Sequence, residues 1–115
     1  MIDQYAQAFQ RKDRKTLEKL FSPDMHFQDP SCALIKGKEK VLKIYDGLFQ
    51  NDIISVEIRR QAVKGDLYFV EFSLVLKDPQ RNRMTIDGVD LIEIKGNQIK
   101  SIRAYLDTSE FVQKR

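Results

Sequence analysis

The sequence predicts an α+β fold in which a curved antiparallel sheet wraps around three N-terminal helices. Three observations predict it. Helical apolar spacing is confined to the first half of the chain, up to Phe49. The second half alternates apolar and polar residues at the period of strands. Glycine turns at Lys64-Gly65-Asp66 and Gly96-Asn97 then fold those strands into a meander. A sheet curled around helices encloses one apolar pocket, and concave pockets of that kind are the usual ligand sites.

The elements follow in order. Ile2, Tyr5, Ala6 and Phe9 make one stripe of a helix over Ile2 to Gln10. Asp13 is placed to cap a second helix, whose apolar face is Leu17, Leu20 and Phe21 and which Ser22-Pro23-Asp24 should end. A strand-like run, Met25 to Asp29, comes next, and Pro30 stops regular pairing because it has no N–H to donate. Ser31 to Lys36 reads as a loop. Gly37 opens a third helix over Lys38 to Phe49, with Val41, Leu42, Tyr45, Leu48 and Phe49 on one side. Ile54, Val56 and Ile58 alternate with Ser55, Glu57 and Arg59. Tyr68, Val70, Phe72, Leu74 and Leu76 form the long apolar face of the following strand. Asp78 to Asn82 turns the chain into a strand over Met84 to Lys95, expected to bend or bulge near Gly88. Gln98 to Leu106 is the last strand, and residues 107–115 read as a tail with only Phe111 and Val112 apolar.

One domain accounts for all 115 residues. The composition, 42% hydrophobic and 32% charged, is that of an ordinary globular protein. No apolar run is long enough to span a membrane, and the N-terminal residues lack the pattern of a signal peptide, so a cytoplasmic protein with no membrane partner is expected. The net charge of +3 comes from basic residues dispersed among acidic ones, which argues against a nucleic-acid partner. Cys32 is the only cysteine and His26 the only histidine, so neither a disulfide nor a Cys/His metal cluster is expected. No serine stands in a nucleophile-elbow context.

Asp29 is the most informative residue. In a strand it shares a face with Met25 and Phe27, while His26 and Gln28 take the other. A carboxylate on an apolar face is costly unless paired, hydrogen-bonded or neutralised, which makes Asp29 a candidate general base at a strand end. Asp90 is a second acid on an apolar face, with Ile92 and Ile94. Val89 and Leu91 suggest that its strand is covered on both sides. Taken alone, Asp90 reads first as a hydrogen-bonded core acid or a turn acid beside Gly88, and Asp87 is its rival on the opposite face. Tyr5 and Tyr45 sit on apolar helix stripes, where core packing explains either one by itself.

Together these residues resemble a known family. Two helices, Phe-Gln-Asp-Pro, a Lys-Gly-Lys-Glu helix and strands ending in Gly-Asn-Gln-Ile-Lys-Ser-Ile-Arg-Ala-Tyr are similar to the NTF2-like, or SnoaL-like, superfamily from about Asp3 to Asp107. The resemblance implies a cone-shaped α+β barrel. Its polar residues are most like those of ketosteroid isomerase, which moves a proton next to a carbonyl. The resemblance implies Asp29 as base, Tyr5 and a neutral Asp90 as oxyanion donors, and Tyr45 supporting Tyr5. Phe9, Met25, Phe27, Phe72, Ile92 and Leu106 are expected to line the pocket around a small hydrophobic ligand. No metal or organic cofactor is implied. Such folds often pair through the outer face of the sheet, so a homodimer is expected, through either face of the last strand. Two alternatives stay open: a SnoaL-like polyketide cyclase and a non-enzymatic small-ligand-binding protein. The Asp-Arg-Asp set of an epoxide hydrolase is not evident, although Asp29 and Arg103 could contribute to one.

Overall fold

Burial of one stripe on each helix organises the N-terminal half. The computed structural model describes residues 1–107, so the tail beyond Asp107 lies outside the described residues. Helix α1, Ile2–Gln10, buries Ile2, Tyr5, Ala6, Ala8 and Phe9. Helix α2, Arg14–Leu20, starts at Asp13, whose carboxylate accepts bonds from the Thr16 N–H at 3.2 Å and the Thr16 hydroxyl at 2.6 Å. Those bonds satisfy an N–H that has no partner inside the helix.

Strand β1 runs over Phe21–Gln28, earlier than the sequence suggests. Ser22-Pro23-Asp24 does not end the helix but lies inside this strand, and Phe21 belongs to the strand too. Proline is tolerated there because the pairing with the neighbouring strand shifts register between Phe21 and His26, so Pro23 owes the ladder no donor. The expected loop holds a short strand, β2, Ile35–Lys36. Helix α3, Lys38–Leu48, follows and buries Val41, Leu42 and Tyr45.

The remaining strands are β3 (Asp52–Lys64), β4 (Leu67–Lys77), β5 (Arg83–Lys95) and β6 (Gln98–Leu106). Gly65 and Gly96 take left-handed φ values of 60° and 61°, as tight hairpin turns require. The sheet order is β2-β1-β6-β5-β4-β3. Every pairing is antiparallel except β1 with β6, which run parallel and join the N-terminal strand to the meander. This is the curved sheet wrapped around three helices that the sequence predicts, with one core between them.

Two local expectations are corrected. The ladder is regular at Gly88, which pairs with Phe72 and Leu106; the register shift in β5 falls between Glu93 and Ile94. Gly88 is needed for a different reason. A Cβ there would lie 2.6 Å from the Tyr105 carbonyl oxygen and 2.9 Å from Leu106 Cδ2. The outer face of β5 is also less covered than expected, since Val89 is 37% exposed.

Gly88→Ala should therefore lower stability by about 2 kcal/mol, because the clash is with backbone that cannot rotate away. Urea unfolding followed by circular dichroism checks this, and an unchanged midpoint would contradict it.

Candidate functional site

Sheet curvature leaves a cavity between α1, α3 and the concave face of β3 to β6. It contains about 790 Å³ of empty space, mouth included. Among the described residues, four polar side chains line it: Tyr5, Asp29, Tyr45 and Asp90. Phe9, Phe27, Phe72, Ile92 and Leu106 line it as well. Met25 does not. It shares the face of Phe27 on β1 but sits earlier along that strand, wholly buried in the core. Val56, Ile58, Leu74, Ile86 and Ala104 also contribute walls. Their signal was present in the sequence, since each shares the period-2 face of its strand.

Register explains why two distant acids meet. Gln28 is paired with Arg103 across β1 and β6, which sets Asp29, one residue on, level with Ala104. Asp90 pairs with Ala104 from the other side. The two acids thus flank one alanine on neighbouring strands, with backbones roughly 10 Å apart at the usual strand spacing. They face a common space without sharing a proton.

Each acid is held differently. One oxygen of Asp29 accepts both the Ser31 N–H at 2.8 Å and the Ser31 hydroxyl at 2.6 Å. The Cys32 side chain also hydrogen-bonds this carboxylate, which lines the cavity. Ser31 was missed by sequence reasoning, although an Asp followed two residues later by Ser is the pattern of a turn in which the carboxylate folds back. Asp90 makes no hydrogen bond or ion pair among the described residues, so it is not the hydrogen-bonded core acid that its pattern suggests. Burial pushes its carboxyl up to about 7, with the Asp29 charge adding to the effect. Asp87 faces the outer side, 3.9 Å from the Arg59 guanidinium.

The two phenols form a pair. Tyr5 and Tyr45 hydroxyls are 2.6 Å apart, buried, and either can donate. Burial raises both pKa values far above the ordinary phenol range, so both stay protonated. Tyr45 is wrapped by Phe9, Phe21, Phe27 and Phe49, with ring centroids 5.5 to 6.2 Å away. Cys32 is half-buried and burial pushes its thiol up, which suits no thiolate nucleophile. His26 is exposed on the opposite face of β1. Arg103 lies outside the cavity, its guanidinium 5.2 Å from the Tyr105 ring centre. Among the described residues no group of three or more His, Cys, Asp or Glu side chains could hold a metal ion. No helix among them is long and apolar enough to cross a membrane.

Comparison with known proteins agrees with this architecture. Residues 2–102 match the family described as SnoaL-like domain. No curated protein sequence matches the chain. Among solved structures, a protein assigned as an isomerase from Rhodopseudomonas palustris superposes with a TM-score of 0.87 at 13% identity, covering 98% of this chain and 93% of its own. The epoxide hydrolase/cyclase-like enzyme SalBIII of salinomycin pyran ring formation gives 0.85 at 15%, covering 94% and 88%. An LEH-like epoxide hydrolase from M. tuberculosis gives 0.84 at 17%, covering 97% and 84%. At such identities the likeness is one of fold.

Asp90 has a stability consequence with a definite sign. Its folded pKa of about 7 lies above the ordinary carboxylate value of 3.8, so folding opposes its ionisation. The penalty is absent below pH 4, grows between pH 4 and 7 and is complete above. Asp90→Asn should stabilise the protein at pH 8 by on the order of 1 to 2 kcal/mol, solvent at the cavity mouth screening part of the effect, and by nearly nothing at pH 4. Denaturant titrations at the two pH values check this; an equal effect at both would contradict it.

Proposed function

The chain belongs to the SnoaL-like domain family, and from that premise and its cavity we propose a ketosteroid isomerase-like enzyme that shifts a proton next to a carbonyl on a small hydrophobic ketone, without a cofactor. One observation carries the reading. A carboxylate and a second acid with a pKa near neutrality face each other across an apolar cavity that also holds a bonded phenol pair.

In this reading the Asp29 carboxylate, which lines the cavity, removes a proton from the carbon between the alkene and the carbonyl. Electrons move onto the carbonyl oxygen, giving a dienolate. Tyr5 donates a hydrogen bond to that oxygen while Tyr45 donates to Tyr5, and protonated Asp90 donates the second. Donors fixed before the charge appears lower the barrier most, since nothing must reorganise. Asp29 then returns its proton to the far carbon of the dienolate, and the double bond ends in conjugation. Ser31 holds one oxygen of the base, which restrains how the carboxylate can turn.

The apolar walls favour such a ketone over the polar polycycle of a polyketide cyclase. They also suit a simple binding protein, but binding of an uncharged ligand gives no reason for an acid held near pH 7. An epoxide hydrolase needs an arginine at the site, and among the described residues none lines this cavity.

A β,γ-unsaturated 3-ketosteroid should gain absorbance as its double bond moves into conjugation. Asp29→Asn should lower kcat/KM by about 10³-fold. Activity should also fall as pH rises through about 7, where Asp90 loses the proton that it donates. Absence of turnover in the wild type with this ketone and with a smaller β,γ-enone would remove the reading.

A homodimer is the proposed assembly. Ile102, Ala104 and Leu106 are committed to the interior, which leaves the other face of β6 for pairing. Phe69, Val89 and Tyr105 are 40%, 37% and 51% exposed there and lie on three adjacent strands. A contiguous apolar patch of this kind favours burial against a second copy. Sedimentation at micromolar concentration should give a dimer, and a monomer alone would exclude it.

A further inference from the structure

Among the described residues the cavity lining includes two carboxyl groups and no basic side chain. Elsewhere in this chain acids find cations: Arg14 binds Glu18 and Asp46, Arg60 binds Glu71, and Arg81 binds Asp52. Asp90 has no such partner among the described residues. Its carboxyl is surrounded by protein except toward the cavity. The titratable groups that face it are Asp29 from the segment after β1, Tyr5 from α1 and Tyr45 from α3. Its neighbours on the flanking strands, Val70 and Ala104, carry no charge. None of these groups can supply a positive charge.

The walls add a second attraction. Rings of Tyr5, Phe9, Phe27, Tyr45 and Phe72 line the same cavity. Aromatic faces attract cations, most strongly where water is excluded. The apolar remainder rejects a strongly hydrated ion such as sodium, whose water shell it cannot replace. It suits a charge that carries its own alkyl coat.

We infer that this cavity binds small hydrophobic ammonium ions, tertiary or quaternary, with the cationic centre beside Asp29 and Asp90 and the alkyl groups against the rings. The inference uses the cavity of the isomerase reading but not its reaction. The two also need opposite states of one residue. A developing oxyanion requires protonated Asp90, whereas an ammonium ion requires it ionised. The cavity's preference for ligand charge therefore inverts as Asp90 titrates.

The test uses phenyltrimethylammonium, whose charge does not vary with pH, and tert-butylbenzene, its uncharged isostere. Each is titrated into the protein at pH 8.5 and at pH 5.5, with the NMR signals of cavity residues as readout. The ammonium ion should bind more tightly than the hydrocarbon at pH 8.5. By pH 5.5 it should lose roughly thirtyfold in affinity, as the ionised fraction of a group with a pKa of about 7 falls. The hydrocarbon should not weaken over the same range. Asp90→Asn, an isosteric change whose fold the same spectrum verifies, should reduce ammonium affinity at pH 8.5 to its pH 5.5 value and spare the hydrocarbon. If the variant does not fold, the wild-type pH comparison decides alone. Equal binding of the two probes at pH 8.5, a pH-independent ammonium affinity, or no ammonium binding would each overturn the inference. An enzyme that isomerises ketones yet rejects the ammonium loses only this inference. Ammonium binding without turnover leaves it standing and removes the isomerase.

Discussion

The hydrogen bond between Tyr5 and Tyr45 is the contact on which the rest of the site depends. It joins α1 to α3 across 40 residues of sequence, inside a cluster of aromatic rings. A buried hydroxyl without a partner costs on the order of 1 to 3 kcal/mol, so each phenol restrains where the other can sit. Fixing α1 against α3 fixes one wall of the cavity. The sheet supplies the other, because each strand that faces those helices turns an apolar row toward them. The same bond fixes the direction of a donor: whichever phenol receives the bond has its own hydrogen free for a ligand.

The acids show how a fold tolerates groups that oppose its stability. An apolar wall raises the cost of a charge, and the chain meets that cost in two ways. Asp29 stands past the end of β1, where backbone and hydroxyl donors of Ser31 reach it. Asp90 stands within β5, where its backbone belongs to the ladder, and no described side chain donates a hydrogen bond to its carboxyl. Its relief is protonation. A mid-strand acid in a curved sheet is thus set near neutrality by its position.

Much of this was legible in the sequence, for identifiable reasons. Helices α1 and α3 carry unbroken apolar stripes, and β4 is apolar at every second position from Tyr68 to Leu76, so periodicity located them. Asp29 and Asp90 stood out because carboxylates interrupt those apolar faces. What periodicity could not give was register. Pro23 reads as a breaker unless the register shift between Phe21 and His26 is known. Gly88 reads as a bulge unless the approach of the Tyr105 carbonyl is known. Met25 and Phe27 share a face, and only the tertiary packing separates a core residue from a cavity residue. Ser31 acts through a turn, where side-chain direction follows no repeat.

Register also identifies the residue that makes the two acids one site. Ala104 lies between them on β6, and its single methyl leaves the space above it open. A leucine there would fill the gap with three further carbons, and close-packed interiors leave no slack to absorb them. The acids would remain, each with its own surroundings, but no ligand could reach both. The chemistry therefore rests as much on one small residue as on the charged ones. The parallel pairing of β1 with β6 explains why that residue must be on β6: only this strand touches both the one that leads into Asp29 and the one that carries Asp90. A helix-first chain that returned its last strand to any other place in the sheet would keep every residue of the site and separate the two acids.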